Sequence, residues 1–402
     1  MTETADRGYD VIVVGGGLIG ASLAALLSKR SSHKIALVER APRLSGNENP
    51  NQRVVALGKV ATDILREIGI FEELGSGFCN PYTRMQIWDE NSQGELTFDA
   101  IDHKQKLLGH MIDSVQTNLH LQDYIDSQQQ IDTFYDCQSE SLIRHKDHAV
   151  LAIKHDQGEL LKLKSSLVVA ADGARSWVRQ QAKIFANHHP YCQQGIIARI
   201  SCELELKDTA WQCFLDTGPV AVLPIADDSL GKNQGSIVWS ANDQRADELT
   251  SMDQQEFEEQ LSHALQGRLG KISLLSSRQN FPLISQYAQR YYSRNIVLVG
   301  DAAHSIHPLA GQGANLGFKD INELTTLLSE IDSAAVNDLN LLERYQRLRQ
   351  ADNLQTDRVM SILHLAYQNN SPWWKPVRGA GMNWVSNSGW IKNLLAKQAI
   401  GS

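Results

Sequence analysis

The chain has 402 residues, a formal net charge of −8, 42% hydrophobic residues and 21% charged residues. This length exceeds what one hydrophobic core usually serves, so we expect two domains and a small third element. The composition is that of a globular enzyme and excludes a disordered chain, and the acidic balance argues against nucleic acid as a partner, because domains that bind nucleic acid carry a basic face.

An apolar segment near the N-terminus predicts a strand followed by a helix. Residues 9–14 are a β-branched run typical of a strand buried on both faces, and residues 18–29 have helical composition. The seventeen uncharged residues 11–27 are just short of a membrane span, and acids outnumber Arg7 before them. We therefore expect neither a membrane span nor a signal peptide here.

Between this strand and helix, Gly15, Gly17 and Gly20 form a GxGxxG motif. In dinucleotide-binding folds the first glycine permits a tight turn, the second lets a pyrophosphate approach and the third lets the helix pack closely. A second apolar run, residues 34–38, ends in Glu39, which is placed to accept the ribose hydroxyls of an adenosine. The pattern predicts an adenine dinucleotide site, with FAD and NAD both open, and an accidental glycine-rich turn is the alternative.

Two later apolar runs each lead into an aspartate. Residues 166–171 precede Asp172, and residues 295–299 precede Gly300 and Asp301. Open α/β sheets place their ligands beyond the carboxyl ends of the strands. We therefore expect both aspartates at the same site as the GxGxxG turn.

The stretch from 300 to 317 has the sequence GDAAHSIHPLAGQGANLG. Asp301, His304 and His307 are donors that a metal could use, but the histidines lack a third partner at metal-ligand spacing, and the five cysteines form no CxxC pair. Four glycines beside an acid favour the close approach of a flat ring instead. We predict no metal, and we expect His304 to be a hydrogen-bonded polar group beside the dinucleotide.

The three motifs, GxGxxG with Glu39, then ADGARSWVR, then GDAAHSIHPLAGQGANLG, resemble those of the flavoprotein aromatic hydroxylases of the p-hydroxybenzoate hydroxylase type. The form GDAAHxxxPLAGQGxNLG is similar to the ubiquinone-biosynthesis hydroxylases, and the resemblance covers essentially the whole chain. It implies an α/β fold with a Rossmann-like FAD-binding domain, an inserted β-sheet substrate domain and a helical C-terminal region.

The predicted domains are discontinuous in sequence. The FAD-binding domain is expected in residues 1–75, 105–180 and 286–345, the substrate domain in 76–104 and 181–285, and the helical C-terminal region in 346–402. Runs typical of strands of the substrate sheet occupy residues 85–88, 96–98, 221–225 and 236–240.

The resemblance also implies which residues hold FAD. Asp301 would bind the ribityl chain, Arg53 would order the cofactor, and Asp172 would serve both FAD and a nicotinamide donor; a solvated loop arginine is the alternative for Arg53. A helix beginning at residues 311–315 would direct its N–H groups at the flavin edge that becomes negative on reduction. The predicted cofactor-binding residues are Gly15, Gly17, Gly20, Glu39, Arg53, Asp172, Gly300, Asp301, Pro308, Gly311, Gln312, Gly313, Ala314 and Asn315.

The implied activity is FAD-dependent hydroxylation of a polyprenylated benzoquinol or phenol by O2, through a flavin C4a-hydroperoxide. Residues 80–82, 211–212 and 351–353 look most like the branch acting on a 2-polyprenyl-3-methyl-6-methoxy-1,4-benzoquinol. Hydroxylation at another ring carbon remains open, since small ring groups change affinity little. A non-catalytic FAD-binding assembly subunit is the other alternative. NAD(P)H is the expected electron donor, without an assigned site.

The last 44 residues contain no acid, four basic residues and half of the eight tryptophans. Basic residues with interfacial tryptophans suit an anionic membrane surface. We expect a cytoplasmic protein whose C-terminal region docks on the inner face of the membrane or on a lipid-handling complex. A helical cap with its tryptophans packed on the core is the alternative.

Overall fold

Two large sheets, one small sheet and the helices around them make up the computed structural model. It describes residues 7–46, 53–92, 94–155, 158, 160–225, 231–306, 312–368 and 374–388. The strands in these residues are β1 (Arg7–Val14), β2 (Ile35–Val38), β3 (Val54–Leu57), β4 (Cys79–Tyr82), β5 (Arg84–Asp89), β6 (Glu95–Asp99), β7 (Gly109–Asp113), β8 (Ile131–Phe134), β9 (Cys137–Arg144), β10 (Ala149–His155), β11 (Leu160–Ala170), β12 (Ala186–Cys202), β13 (Thr209–Leu215), β14 (Gly218–Pro224), β15 (Gln234–Asn242), β16 (Ile272–Leu274), β17 (Gln279–Ala288), β18 (Tyr292–Ser293), β19 (Ile296–Leu298) and β20 (His304–Ser305). The helices are α1 (Leu18–Arg30), α2 (Lys59–Ile68), α3 (Gly75–Phe78), α4 (Ser114–Asp126), α5 (Trp177–Gln181), α6 (Asp243–Ser251), α7 (Gln254–Ala264), α8 (Gln312–Ser329), α9 (Leu339–Gln368) and α10 (Trp374–Asn387).

The first large sheet has the order β18-β19-β11-β1-β2-β8, and β10 and β9 continue it from β11. Its central strands β19, β11, β1, β2 and β8 run parallel to one another. All residues from Val11 to Val14 are buried although successive side chains point to opposite faces, so both faces of β1 are covered. The predicted N-terminal strand and helix are confirmed, and so is the α/β fold class.

The register of this sheet brings the three motifs together. Val14 pairs with Ala170, and Ala170 pairs with Leu298. Val14 is the last residue of β1, Ala170 of β11 and Leu298 of β19, so all three strands end at one edge of the sheet. The GxGxxG turn, Asp172 and Asp301 therefore follow from neighbouring strand ends, as the sequence predicts.

The second large sheet has the order β20-β17-β12-β15-β14-β13-β5-β6, with β16 also paired to β12. It is antiparallel except where β13 runs parallel to β5. The predicted hairpin of residues 85–88 and 96–98 is confirmed as β5 and β6, and the runs at 221–225 and 236–240 lie largely in β14 and β15. Helices α6 and α7 cover one face of this sheet around a core that includes Trp239 and Phe257.

A small third sheet, β3-β7-β4, contributes Leu57 and Ile112 to the core of the first large sheet, and Tyr82 and Met111 to a core shared with β5 and β6. The predicted substrate insertion includes residues 79–82, but β4 pairs with β7 and not with the nine-stranded sheet. Tyr82 is buried in one core with Met111 of β7 and Phe98 of β6, so β4 packs against the nine-stranded sheet without joining it. The predicted boundary at residue 346 falls inside the continuous helix α9. The domain boundaries themselves stay a prediction.

The C-terminal helix α10 packs on the β5–β6 hairpin. Gly379 lies so close to this hairpin that a Cβ on Gly94 would be 2.9 Å from the Gly379 Cα atom, and Met382 is buried against the hairpin core. Trp384 is 61% exposed. The other basic residues and tryptophans behind the membrane prediction have side chains outside the described part of the chain: Trp373, Trp374, Lys375, Arg378, Trp390, Lys392 and Lys397. Within the described helices, none is both long and apolar enough to cross a bilayer.

Candidate cofactor and substrate site

The GxGxxG glycines have three different structural roles. Gly15 has φ +103°, and a Cβ there would be 2.4 Å from the carbonyl oxygen of Ala171; a Cβ on Gly20 would be 1.9 Å from the carbonyl oxygen of Gly15. These two glycines let β1, α1 and the turn after β11 pack together. Gly17, at the N-cap of α1, would place a Cβ in open space and lines a large cavity. Free N–H groups at a helix N-terminus beside open space fit a pyrophosphate.

Glu39 follows β2, as predicted, and its carboxylate already has local partners. It accepts hydrogen bonds from the backbone N–H groups of Gly16 and Ala41. A carboxylate has about four lone-pair sites, so two backbone bonds leave room for hydroxyl donors. Glu39 therefore both orders the glycine turn and can accept from a ribose.

Asn118 of α4 belongs to this site although the sequence did not single it out. Its Nδ2 donates to the carbonyl oxygen of Gly16 at 3.1 Å, and it lines the cavity. Its buried Oδ1 has no hydrogen-bond partner within the described residues. Buried amide oxygens are normally satisfied, so this atom is suited to accept a hydrogen bond from a bound ligand.

The turn after β11 is held by Asp172 and Arg179. The Asp172 Oδ2 atom accepts the N–H of Val178 at 3.0 Å, and burial raises the pKa of this carboxyl above its ordinary value. Arg179 is buried and donates to the carbonyl oxygens of Ala302 and Ala174, at 2.8 and 2.9 Å. Arg179 thus ties the second motif to the third, a role that the sequence analysis did not predict.

Asp301 presents its carboxylate to the cavity. Asp301 is exposed, and the surface that it lines is the inside of the cavity, which protein surrounds. This surrounding protein raises the pKa of the Asp301 carboxyl above its ordinary value, although His304 and Arg53 act to lower it. Gly300 before it is buried with φ +56°, a conformation that favours glycine. Arg53 also lines the cavity, and its carbonyl oxygen is anchored by Ser114.

The third motif places its residues on two sides of α8. Gly313 and Ala314 line the cavity, and a Cβ on Gly313 would meet no atom within 4 Å. Asn315 faces away: its side chain accepts from the N–H of Gly58 and donates to the carbonyl oxygen of Ala56. Gln312 is the first residue of α8. The remaining predicted residues of this motif, His307, Pro308 and Gly311, lie outside the described part of the chain.

His304 is a satisfied polar residue, as predicted, and its partner is a carboxylate. Its Nε2 lies 2.5 Å from Oδ2 of Asp320, and both side chains are buried. Among the described residues, no group of three or more His, Cys, Asp or Glu side chains converges as a metal site would need. The absence of a metal stays a prediction.

The cavity has a volume of about 1480 Å³, which is larger than the roughly 300–1,000 Å³ of a usual single-ligand pocket. One side carries the motif residues Gly17, Asp301 and Gly313. The opposite side is formed by the nine-stranded sheet and is mainly apolar, with lining residues that include Ile197, Ala210, Ala221, Leu223 and Val238. The arrangement can hold two ligands face to face, one on charged and backbone groups and one on an apolar wall.

The cavity reaches the surface beside two phenylalanines. Phe185, just before β12, is 71% exposed, and Phe281 of β17 is 39% exposed, yet both line the cavity. Ile184 and Pro282 line it next to them. These residues give the opening an apolar part, and the exposed residues Lys183 and His188 line the cavity beside them.

Comparisons with known proteins agree with this geometry. The chain matches the model of the FAD-binding-domain family over residues 8–356. It is 31% identical over 396 residues to the 3-demethoxyubiquinol 3-hydroxylase of Escherichia coli (strain K12), with 98% of each chain covered. It is 28% identical to the mitochondrial ubiquinone biosynthesis monooxygenase COQ6 of Danio rerio, over 90% of this chain and 84% of the relative. The crystal structure of p-nitrophenol 4-monooxygenase PnpA from Pseudomonas putida DLL-E4 shares the fold, with a TM-score of 0.79, 15% identity and 99% coverage of both chains.

Proposed function

Because this chain belongs to the family of FAD-dependent ubiquinone-biosynthesis hydroxylases, and is thus a FAD-dependent monooxygenase, we propose that it hydroxylates the ring of a polyprenylated benzoquinol. The observation that carries this proposal is the cavity of about 1480 Å³, with the motif turns on one side and an apolar sheet on the other. A bound cofactor and a ring substrate can share this space, since it exceeds a usual single-ligand pocket.

The motif residues would hold FAD along the first wall. The α1 N-terminus at Gly17 would bind the pyrophosphate, Glu39 the adenosine ribose, and Asp301 the ribityl chain, with Arg53 beside it. Gly313 leaves open space where the flavin ring would approach α8. When bound, FAD supplies the activation of O2 and the transfer of one oxygen atom to the ring.

The substrate wall would orient the ring and exclude water. Ala210, Ala221 and Val238 offer apolar surface from three adjacent strands, and Gln212 and Ser240 are polar lining groups that could orient ring hydroxyls. Excluding water keeps the activated oxygen from being lost as peroxide before it reaches the ring. We assign no general base: FAD would supply the reactive oxygen when bound, and the ring proton that is lost on hydroxylation is not assigned to a side chain.

The expected substrate is a demethoxyubiquinol-type ring. Support comes from the 31% identity with the Escherichia coli protein named for that reaction and from residues 80–82, 211–212 and 351–353. The Trp211 ring packs edge-on to Trp88 in the core behind the cavity wall. The Asn80 Nδ2 atom contacts the carbonyl oxygen of Pro224 at 3.5 Å, next to the lining residue Leu223.

Product analysis tests this function. We expect the FAD-loaded protein, given NADH or NADPH, isotopically labelled O2 and a short-chain prenylated demethoxybenzoquinol, to form a product that carries one labelled oxygen at the demethoxy carbon. Mass spectrometry locates the position, and apoprotein without FAD is the control. Labelling at another carbon would assign a sister activity. Consumption of O2 without any labelled ring, for this and related phenols, would contradict hydroxylation and favour a non-catalytic assembly subunit.

We further propose that α10 contributes to membrane docking, because Trp384 is exposed on it and the C-terminal sequence is basic and rich in tryptophan. Trp384→Ser should lower the fraction that floats with anionic liposomes by about tenfold, the loss expected for one buried aromatic side chain. Ile101→Ser, at an 80% exposed position outside α10, is the matched control. Equal flotation of wild type and Trp384→Ser would reject this docking role.

A further inference from the structure

Asp320 of α8 is a fully buried carboxylate that none of the three motif turns contains. Its Oδ2 atom accepts the backbone N–H of Gly300 at 3.0 Å and lies 2.5 Å from Nε2 of His304. Its Oδ1 atom accepts from Nε of Arg349 at 2.8 Å and from Nδ2 of Asn353 at 3.4 Å. One carboxylate therefore has four donors from two separate parts of the chain.

Two of these four donors belong to residues at the two ends of one turn. Gly300 begins the turn and His304 ends it, and Asp301 presents its carboxylate to the cavity from between them. The hydrogen bonds that Asp320 accepts hold both ends of this turn, and Asp301 lies between the two held ends. Gly300 is in a left-handed conformation with φ +56°, and a bond to its N–H holds that conformation in place.

The other two donors come from α9. Arg349 is buried, and besides Asp320 it donates to Asp352 at 2.8 Å and to the Asn353 side-chain oxygen at 2.9 Å. Asn353 in turn donates to the hydroxyl of Tyr291 at 3.3 Å. The position of α9 is thereby linked through Asp320 to the turn that carries Asp301.

Asp320 is ionised in this setting. Burial opposes the charged form, but His304 and Arg349 outweigh it and keep the pKa of Asp320 below its ordinary value. An ionised carboxylate only accepts, so the His304 Nε2 atom carries the hydrogen in this contact. Buried ion pairs often add little net stability compared with apolar residues of similar size. Their presence here is better explained by the geometry that they impose on the turn.

We propose that Asp320 is a positioning residue: it holds the 300–304 turn so that Asp301 meets the cofactor, and Arg349 and Asn353 set its place from α9. This inference rests on the proposed function, because it takes Asp301 as a contact of FAD. Asp320 itself is fully buried and is not among the residues that line the cavity.

Titration of the full-length apoprotein with FAD tests the inference. Asp320→Asn should raise the FAD dissociation constant by about tenfold, because an amide cannot accept all four bonds and a bond to a charged group is worth about 1.5–3 kcal/mol. It should also change the visible circular dichroism of the bound flavin, which reports the surroundings of the ring. Arg349→Lys should retain more FAD affinity than Arg349→Met, since a lysine can still donate to Asp320.

Leu327→Ala is the matched control for lost stability. Leu327 is buried on the same helix as Asp320, and its apolar side chain takes no part in the hydrogen bonds that join Asp320 to Gly300, His304 and α9. It should lower the melting temperature and leave the FAD dissociation constant and flavin spectrum unchanged. If Asp320→Asn does not fold, the Arg349→Lys and Arg349→Met pair decides the question.

Asp301→Asn separates this inference from the proposed function. If Asp301→Asn weakens FAD binding but the Asp320 and Arg349 variants bind FAD like wild type, the positioning role is overturned and the cofactor placement stands. If Asp301→Asn itself binds FAD like wild type, the placement of FAD at Asp301 fails, and the positioning inference fails with it.

Discussion

Gly17→Val should raise the FAD dissociation constant by about 100-fold or more while the apoprotein keeps its fold. Gly17 has φ −69°, which any residue adopts, and a Cβ there meets no atom within 4 Å. The valine side chain would therefore cost little in the apoprotein. It would occupy the space in front of the α1 N-terminus that a pyrophosphate needs. Flavin fluorescence titration of the apoprotein measures the loss.

Gly20→Ala is the informative comparison within the same motif. Its Cβ would be 1.9 Å from the carbonyl oxygen of Gly15, so α1 would have to move away from β1. We expect this variant to lose folded protein, seen as a lower melting temperature or no soluble yield, instead of losing FAD affinity alone. A yellow Gly17→Val protein with FAD bound as tightly as in wild type would contradict the placement of the pyrophosphate at this turn.

The sequence predicted the backbone side of the site well because that side is encoded locally. The three strand-and-turn motifs need only short apolar runs followed by glycine and an acid, and the sheet register then brings Gly17, Asp172 and Asp301 to one edge. Nothing in these local patterns shows how far apart the motifs are in space. The parallel arrangement of β1, β11 and β19 supplies that information.

The side chains that hold the turns together were missed because most of their contacts are distant in sequence. Asn118 contacts Gly16 across 102 positions, and Arg179 contacts Ala302 across 123. Asp320 is only 20 positions from Gly300, and its signal was visible. It is a charged residue between the buried residues Phe318 and Ile321, on the apolar side of a helix, where a charge must have a buried partner.

The assignment of residues 79–82 to the substrate domain shows a second limit of local patterns. Alternating apolar residues predict a strand but not the strand with which it pairs. In the small sheet β4 pairs with β7, and this pairing joins parts of the chain that the sequence analysis assigned to different domains.

Phe185→Ser combined with Phe281→Ser should raise KM for a long-tailed prenyl substrate by about tenfold or more and leave KM for a short-tailed analogue nearly unchanged. Each side chain lines the cavity and is also exposed, so both lie where a tail longer than the cavity would emerge. Burying a phenylalanine against a hydrocarbon contributes about 1.5–3 kcal/mol, and 1.4 kcal/mol corresponds to a factor of ten. Steady-state kinetics with substrates of increasing tail length measure the effect.

Both phenylalanines are held in place by backbone contacts, so their replacement should not disturb the fold. The carbonyl oxygen of Phe185 accepts the N–H of Gln289 at 2.8 Å, and Phe281 pairs with Gly195 in the β12–β17 ladder. Ile101→Ser, at an exposed position away from the cavity, should affect neither substrate. The opening belongs to β12 and β17, whereas α10 packs on β6 at the other end of the same sheet. If the double variant loses both substrates equally, or neither, the tail leaves by another route, and the edge beneath α10 becomes the next place to test.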